Sequence, residues 1–245
     1  CAAQYLQAHW TTANQIKPMP LYVPEDCKTL EEAVERVEQD QRITTIVLGK
    51  GVHRIIDWFL EISSAMRIVG RPDVLKDKIV VVGGIHFKKG IEGYCHLQHL
   101  TLREVKRCGV IGYSSFTMED VLVEQCGSGV VAKGTGVVGR CTDVEVRQCG
   151  QSGVAAYYGA SITLIGAKTT VHHNCTAGDD REYGLTVYGS SSTIQLGSPL
   201  TKEQVATDNG GGGNWGAKYG ADINQIITVA ATTSSSSVPC GETKS

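Results

Sequence analysis

"LREVKRCGVIGY" (residues 102–113) returns as "VLVEQCGSGVVAK" (121–133), "VEVRQCGQSGVAAYY" (144–158) and "TVHHNCTAGDDREYGLTVY" (170–188). A fifth version, "QVATDNGGGGNWGAKY" (204–219), carries Asn where the others carry Cys. Anchored on Cys108, Cys126, Cys149, Cys175 and Asn209, the intervals lengthen along the chain, which reads as turns inserted into a constant unit. Self-similarity of this kind marks a repeat architecture in which each unit buries its apolar face against the next.

Columns emerge once the units are stacked. Three residues before the anchors stand Val105, Val123, Val146, His172 and Ala206; two before stand Lys106, Glu124, Arg147, His173 and Thr207. The first column is mainly apolar and the second mainly polar, the alternation of a strand with one buried face. After the anchor comes a glycine (Gly109, Gly129, Gly153, Gly184, Gly216), then an apolar residue (Val110, Val130, Val154, Leu185, Ala217). Each unit therefore predicts a strand, a turn pivoting at Cys-Gly, and a second strand. A third short strand opens the next unit at "SFTMEDV" (115–121), "SITLIGA" (161–167) and "STIQLGS" (192–198). Like residues then lie about 4.8 Å apart on successive coils. The cysteines become an internal ladder at a bend, and Asn209 suits the same slot because its amide bonds turn backbone.

The ends fit a solenoid, whose open sheet edges need caps. "KTLEEAVERVEQ" (28–39) puts Leu30, Ala33, Val34 and Val37 on one helical face, with Thr29 and Glu32 as a capping box. The reading divides the chain into an N-terminal extension and amphipathic capping helix (1–43), a solenoid (44–229) and a flexible C-terminal tail (230–245). Composition agrees: 29 Gly against 3 Phe and 3 Trp in 245 residues suits many tight turns. A net charge of -2 offers no basic stripe for nucleic acid. No apolar run approaches the roughly 20 residues of a membrane span.

"TTIVLGKGVHRI" (44–55), "MRIVGRPDV" (66–74) and "KIVVVGGIHF" (78–87), together with the repeat columns, resemble the opening coils of the right-handed parallel β-helix proteins, the pectin-lyase-like superfamily. The resemblance covers roughly residues 44–229. It implies an all-β fold, a right-handed parallel β-helix solenoid with an N-terminal capping helix. It leaves activity open, since the superfamily holds lyases, hydrolases, epimerases, adhesins and intracellular scaffolds. The family's catalytic strings "NTD", "GHG", "RIK" and "DPH" do not occur in this chain, so no catalytic residue is carried over.

The outward column of the second strand reads Tyr113, Lys133, Tyr157 and Tyr188, with Tyr219 one position out of register. Rings in a row offer flat faces with polar rims, suited to sugars; the same rings also stabilise a sheet by stacking. "AGDDRE" (177–182) and "DNGGGGNWG" (208–216) are long insertions on one flank, where function concentrates. Asp179, Asp180, Arg181, His173, Arg147, Lys133, Tyr157, Tyr188 and Trp215 are expected to border one groove. His172 is expected inside. The ladder cysteines are read as reduced core residues, which favours a cytoplasmic setting; a removed signal peptide is equally compatible with the chain. Asn174-Cys175-Thr176 matches a glycosylation triplet but falls at a tight bend, which argues against modification.

Two functions follow. The favoured one is a non-catalytic binding module for a saccharide or a protein partner, with no cofactor or metal, no nucleic acid and no membrane. The alternative is a polysaccharide-active enzyme. As a uronate lyase or epimerase it would use Arg147, Lys133 or Arg181 to neutralise a carboxylate, His173 as base, and a Ca2+ ion on Asp179 and Asp180. As a glycoside hydrolase it would need two carboxyl groups about 5 Å apart for retention or about 6.5–9.5 Å for inversion. A third reading is a structural module of a larger protein.

Overall fold

In the computed structural model, residues 19–40 and 42–230 are described. The 15 residues 231–245 of the expected tail, and 1–18 of the extension, lie outside them. The strands form one 19-stranded sheet, coiled on itself, with every pairing parallel. The chain is an all-β parallel β-helix solenoid of three walls.

The first wall stacks β1 (Leu21–Val23), β2 (Thr45–Leu48), β4 (Arg67–Gly70), the leading half of β6 (Cys95–Arg103), the leading half of β8 (Phe116–Glu124), β10 (Val138–Thr142), β13 (Ser161–Ile165), β16 (Thr193–Gly197) and β19 (Ile226–Val229). The second wall stacks the leading halves of β3 (Gly51–Ile62) and β5 (Ile79–Phe87), the trailing halves of β6 and β8, then β11 (Glu145–Arg147), β14 (Thr170–His172) and β17 (Ala206–Thr207). The third wall stacks the trailing halves of β3 and β5, then β7 (Cys108–Gly112), β9 (Ser128–Lys133), β12 (Val154–Tyr157), β15 (Leu185–Tyr188) and β18 (Trp215–Lys218).

Inward side chains form continuous columns. On the first wall Ile46, Ile68, Leu97, Met118, Cys141, Leu164 and Leu196 stack in register and are all buried. Each fully buried aliphatic side chain contributes roughly 1.5–3 kcal/mol of hydrophobic stabilisation. The cap is as expected: α1 (Leu30–Gln39) buries Leu30, Ala33, Val34 and Val37. Only half of the expected capping box forms: Thr29 accepts from the Glu32 N–H, but the Glu32 carboxylate accepts from the N–H of Lys28 and not from that of Thr29. β1 pairs with β2, so the solenoid sheet begins before the helix and not after it.

The walls meet at bends that use the left-handed backbone region, and these bends set the register. Between the first and second walls stand His99, Asp120 and Asp143; between the second and third stand Glu104, Gln125, Gln148, His173 and Asp208; all have φ between 51° and 62°. The second set corrects the repeat alignment. Glu124 pairs with Arg147, Arg147 with His172, and His172 with Thr207. The ladder at this bend is therefore Val105, Cys126, Cys149, Asn174 and Asn209, not a file of cysteines. The same hydrogen bond repeats from rung to rung: Gly127 N–H to Val105 O, Gly150 N–H to Cys126 O, and Gly210 N–H to Asn174 O.

Cys108 instead pairs with Ser128 at the start of the third wall, and Cys175 lies one residue past the ladder. The inward column is Leu102, Val123, Val146, Val171 and Ala206, which moves His172 to the outward face. On the third wall Leu185 pairs with Trp215, so Asn214 takes the glycine slot assigned to Gly216. Asn174 is buried, with its Nδ2 donating to Val146 O, which removes it as a glycan acceptor in the folded chain.

Candidate functional site

The third wall carries the outward file expected from the repeat. Lys133 pairs with Tyr157, Tyr157 with Tyr188, and Tyr188 with Lys218. Tyr113 precedes them: its N–H bonds Phe87 O, one residue beyond the Phe87–Gly112 pair. A second row runs beside this file at the bend to the first wall, reading Gly134, Tyr158, Gly189 and Tyr219. Gly134 and Gly189 have φ of 116° and 87°, and Tyr158 and Tyr219 are held at 54° and 50°. Left-handed backbone costs a residue with a Cβ roughly 1–2 kcal/mol. Glycine is the cheap choice on two of these four rungs, yet tyrosine stands on the other two. Such strain gathers at functional positions.

The two rows interleave. The Tyr188 ring lies 5.0 Å from Tyr157, 5.1 Å from Tyr158 and 4.3 Å from Tyr219, centroid to centroid. Tyr158 and Tyr219 are 52% and 75% exposed, so the cluster presents aromatic surface to solvent. Lys133 Nζ sits 5.4 Å from the Tyr113 centroid and 5.5 Å from Tyr158, bridging the file by cation–π contacts. Burial holds the Tyr157 hydroxyl well above the ordinary phenol range. A hydrogen bond with Tyr158, then desolvation, pushes Tyr188 up to about 12. Both hydroxyls are therefore neutral donors at neutral pH.

The two insertions form the rim. The loop after β14 and the glycine loop after β17 lie on adjacent rungs and bond each other through Gly212 N–H to Glu182 O and Gly184 N–H to Gly213 O. Tyr183 packs on Gly212 and Gly216, where any Cβ would meet its ring at 2.4 Å. Between rim and tyrosines lies a groove of about 540 Å³, lined by Tyr157, Tyr188, Tyr219, Asp179, Arg181 and Lys218 among others. Its charges are matched. Arg181 clamps Asp179 through two hydrogen bonds of 3.0 and 3.1 Å. Lys218 donates to Glu182 at 2.6 Å, with both side chains largely buried, and Ser152 donates to the other Glu182 oxygen at 2.5 Å.

Of the residues expected at one groove, Tyr157, Tyr188, Asp179 and Arg181 meet there. Tyr113 and Lys133 extend the same file toward the N-terminal coils. The others lie elsewhere. Asp180 is exposed and does not line the groove. Trp215 sits in the inward register beside Leu185, packs on the end of the core, and stacks under Lys202. Arg147 lies on the second wall, bonded to Glu124 and Glu145. His173 sits at the left-handed bend, its Nδ1 2.8 Å from that of His172. The polar ladder of the second wall is Arg103, Glu124, Arg147 and His172, with His172 in the place expected for His173.

Sequence reasoning missed Tyr158, Glu182, Tyr183 and Lys218. A signal for the first was present: Tyr158 and Tyr219 each stand one position past the outward file, after Tyr157 and Lys218. Among the described residues no group of three or more His, Cys, Asp or Glu side chains is arranged to hold a metal ion. Among them, too, no helix is long and apolar enough to cross a membrane. No protein-family model, characterised protein or solved structure matches the chain.

Proposed function

We propose that this chain is a non-catalytic binding module that holds an extended saccharide along the third wall, as a β-helix of the pectin-lyase-like kind. The observation that carries this reading is the double row of tyrosines, two of them kept in left-handed backbone where glycine is the unstrained choice. Aromatic faces stack against the C–H faces of sugar rings, and neutral phenol and amide groups around them bond sugar hydroxyls. One outward side chain per rung repeats along the wall at about 4.8 Å, so an extended glycan meets several of them in turn. A protein partner uses the same surface less well, because the groove's charges are already paired internally.

Turnover has less support. Hydrolysis needs a carboxyl group that stays protonated until it donates, and hydrogen bonds from Arg181 hold Asp179 below the ordinary carboxylate range. For elimination, Arg147 lies on the second wall and His173 at the bend that ends it, and among the described residues neither shares a hydrogen bond with those of the groove.

The test is binding by calorimetry to neutral and acidic oligosaccharides, with reducing ends and unsaturated products followed with and without Ca2+. Binding without turnover is expected. Tyr157→Ala combined with Tyr188→Ala is expected to weaken it by about tenfold or more while circular dichroism stays unchanged. Unaltered affinity in that double variant removes the tyrosine file from the reading, and product formation replaces the binding module with an enzyme.

A further inference from the structure

The N-terminal half of the third wall holds a second depression of about 450 Å³, lined by Phe59, His86, Tyr113, Lys106, Arg107 and Gln151 among others. The aromatic file continues into it: His86 lies 5.8 Å from Phe59 and 5.3 Å from Tyr113, centroid to centroid. Its charge balance is opposite in kind to that of the tyrosine groove. There, Asp179 answers Arg181 and Glu182 answers Lys218. Here, no carboxylate lines the depression. Lys106 and Arg107 are exposed and make no ion pair with any described residue, and neither does Lys133 on the next rung. Acids line the adjoining hollows: Glu104, held by Arg103 at 3.3 Å, stands beside Lys106, and Asp57 and Glu61 stand beside Arg107. Glu61 is taken by Lys88 at 2.8 Å and approached by His86 at 3.6 Å. Asp57 lines the adjoining hollows around Trp58 without an ion pair to Lys106 or Arg107.

Both cations lean on one ring. Lys106 Nζ is 5.9 Å and the Arg107 guanidinium 5.8 Å from the centroid of Trp58, which is itself 58% exposed. The indole faces restrict where the two charges sit while their polar ends remain free. Ser128 Oγ donates to Gln151 Oε1 at 3.1 Å, which fixes the Gln151 amide and leaves its Nε2 as a neutral donor in the same hollow.

We infer that this depression is an anion subsite: Lys106 and Arg107, steered by Trp58, receive a carboxylate or sulfate group carried by a saccharide whose rings lie along Phe59, His86 and Tyr113. The inference rests on the saccharide reading for the ligand's backbone and adds its charge. A guanidinium beside an ammonium offers several N–H donors to an oxyanion, the arrangement that gives charge-assisted hydrogen bonds. The ligand is thereby polarised, with charged units at the N-terminal coils and neutral ring faces at Tyr157, Tyr188 and Tyr219.

The test uses the full chain, a Lys106→Ala/Arg107→Ala variant and the Tyr157→Ala/Tyr188→Ala variant. Hexasaccharides of a neutral glucan, a hexuronan and a sulfated galactan are titrated by calorimetry at low and high salt. Glucose, glucuronate and glucose 6-sulfate are titrated by tryptophan emission, with Trp58→Phe assigning the signal. The full chain is expected to prefer one or both acidic hexamers by about fivefold or more, a preference that salt erodes. The cation variant loses the preference and keeps its affinity for the neutral hexamer. The uronate and sulfate arms tell which oxyanion is taken. Neutral binding with no acidic preference, or a preference that survives the cation variant, overturns the subsite and leaves the tyrosine platform standing. If no hexamer binds, the platform falls. The subsite then stands if Trp58 emission responds to the charged monosaccharides through Lys106 and Arg107, and falls if it does not.

Discussion

The side-chain oxygen of Asn209 accepts two hydrogen bonds from Asn174, one from its backbone N–H and one from its Nδ2, each 3.0 Å long. Asn174 passes the pattern down, donating to Val146 O at 3.0 Å and accepting from the Cys149 N–H at 3.1 Å. Asn209 passes it up, its N–H donating to the Asn214 side chain at 3.0 Å. The bend between the second and third walls is thus laced by amides where the insertions are longest.

Asn174→Ala should destabilise the fold by about 2–4 kcal/mol, because it strips partners from the buried Val146 carbonyl and Cys149 N–H in a region of low dielectric. Urea denaturation checks this. A loss below about 0.5 kcal/mol means water or a backbone shift satisfies both groups.

Acid should weaken the bend between the first and second walls. Burial by itself raises the Asp120 carboxyl; hydrogen bonds from Lys76 at 2.7 Å and His99 at 2.6 Å outweigh it and leave the pKa below its ordinary 3.8. The unfolded chain therefore binds this proton more readily than the folded one. Asp120's contribution is whole above pH 3.8 and is lost as pH falls through the lowered folded value. Stability curves of the full chain and Asp120→Asn should converge on the acid side of that window. Parallel curves throughout would show that the carboxyl titrates alike in both states.

Thiol reagents should meet a slow protein. Burial pushes Cys95 and Cys108 up to about 11 and Cys141 and Cys175 up to about 12. The reactive thiolate is scarce at each of these positions at neutral pH. Of these four, Cys108, the one only half buried, should react first in the native state. Peptide mapping that assigns a fast phase at pH 7 to any of these four would contradict this.

Much of the fold was legible because the alternation of Val123, Glu124, Val146 and Arg147 needs one buried face, and its recurrence unit after unit stacks that face coil on coil. The Tyr113–Lys133–Tyr157–Tyr188 file was legible for the same reason. The register in two coils was not. Cys108-Gly109 and Asn174-Cys175 each place a cysteine near the bend, yet the slot asks for a residue that follows a left-handed one, whatever its chemistry. Asn174 meets that demand and adds an amide, so His172 moves outward and His173 takes the strained position. Slipping the register by one residue reverses which face a strand side chain occupies, which is why placing the anchor at Cys175 instead of Asn174 puts His172 inside. The shift of Trp215 has a separate cause: the glycine loop ends two residues earlier than expected, and Trp215 opens the strand beside Leu185. The pairing of Lys218 with Glu182 was beyond reach of the repeat, since it joins a wall to an inserted loop.

On the proposed binding role, the solenoid also makes recognition countable. Because each rung adds one position to the file, removing or duplicating a whole coil would change the length of ligand that fits by a single step, leaving the chemistry of every other step intact. Specificity in such a molecule can be edited as beads are added to a string, with the three bends serving as the knots that keep the count.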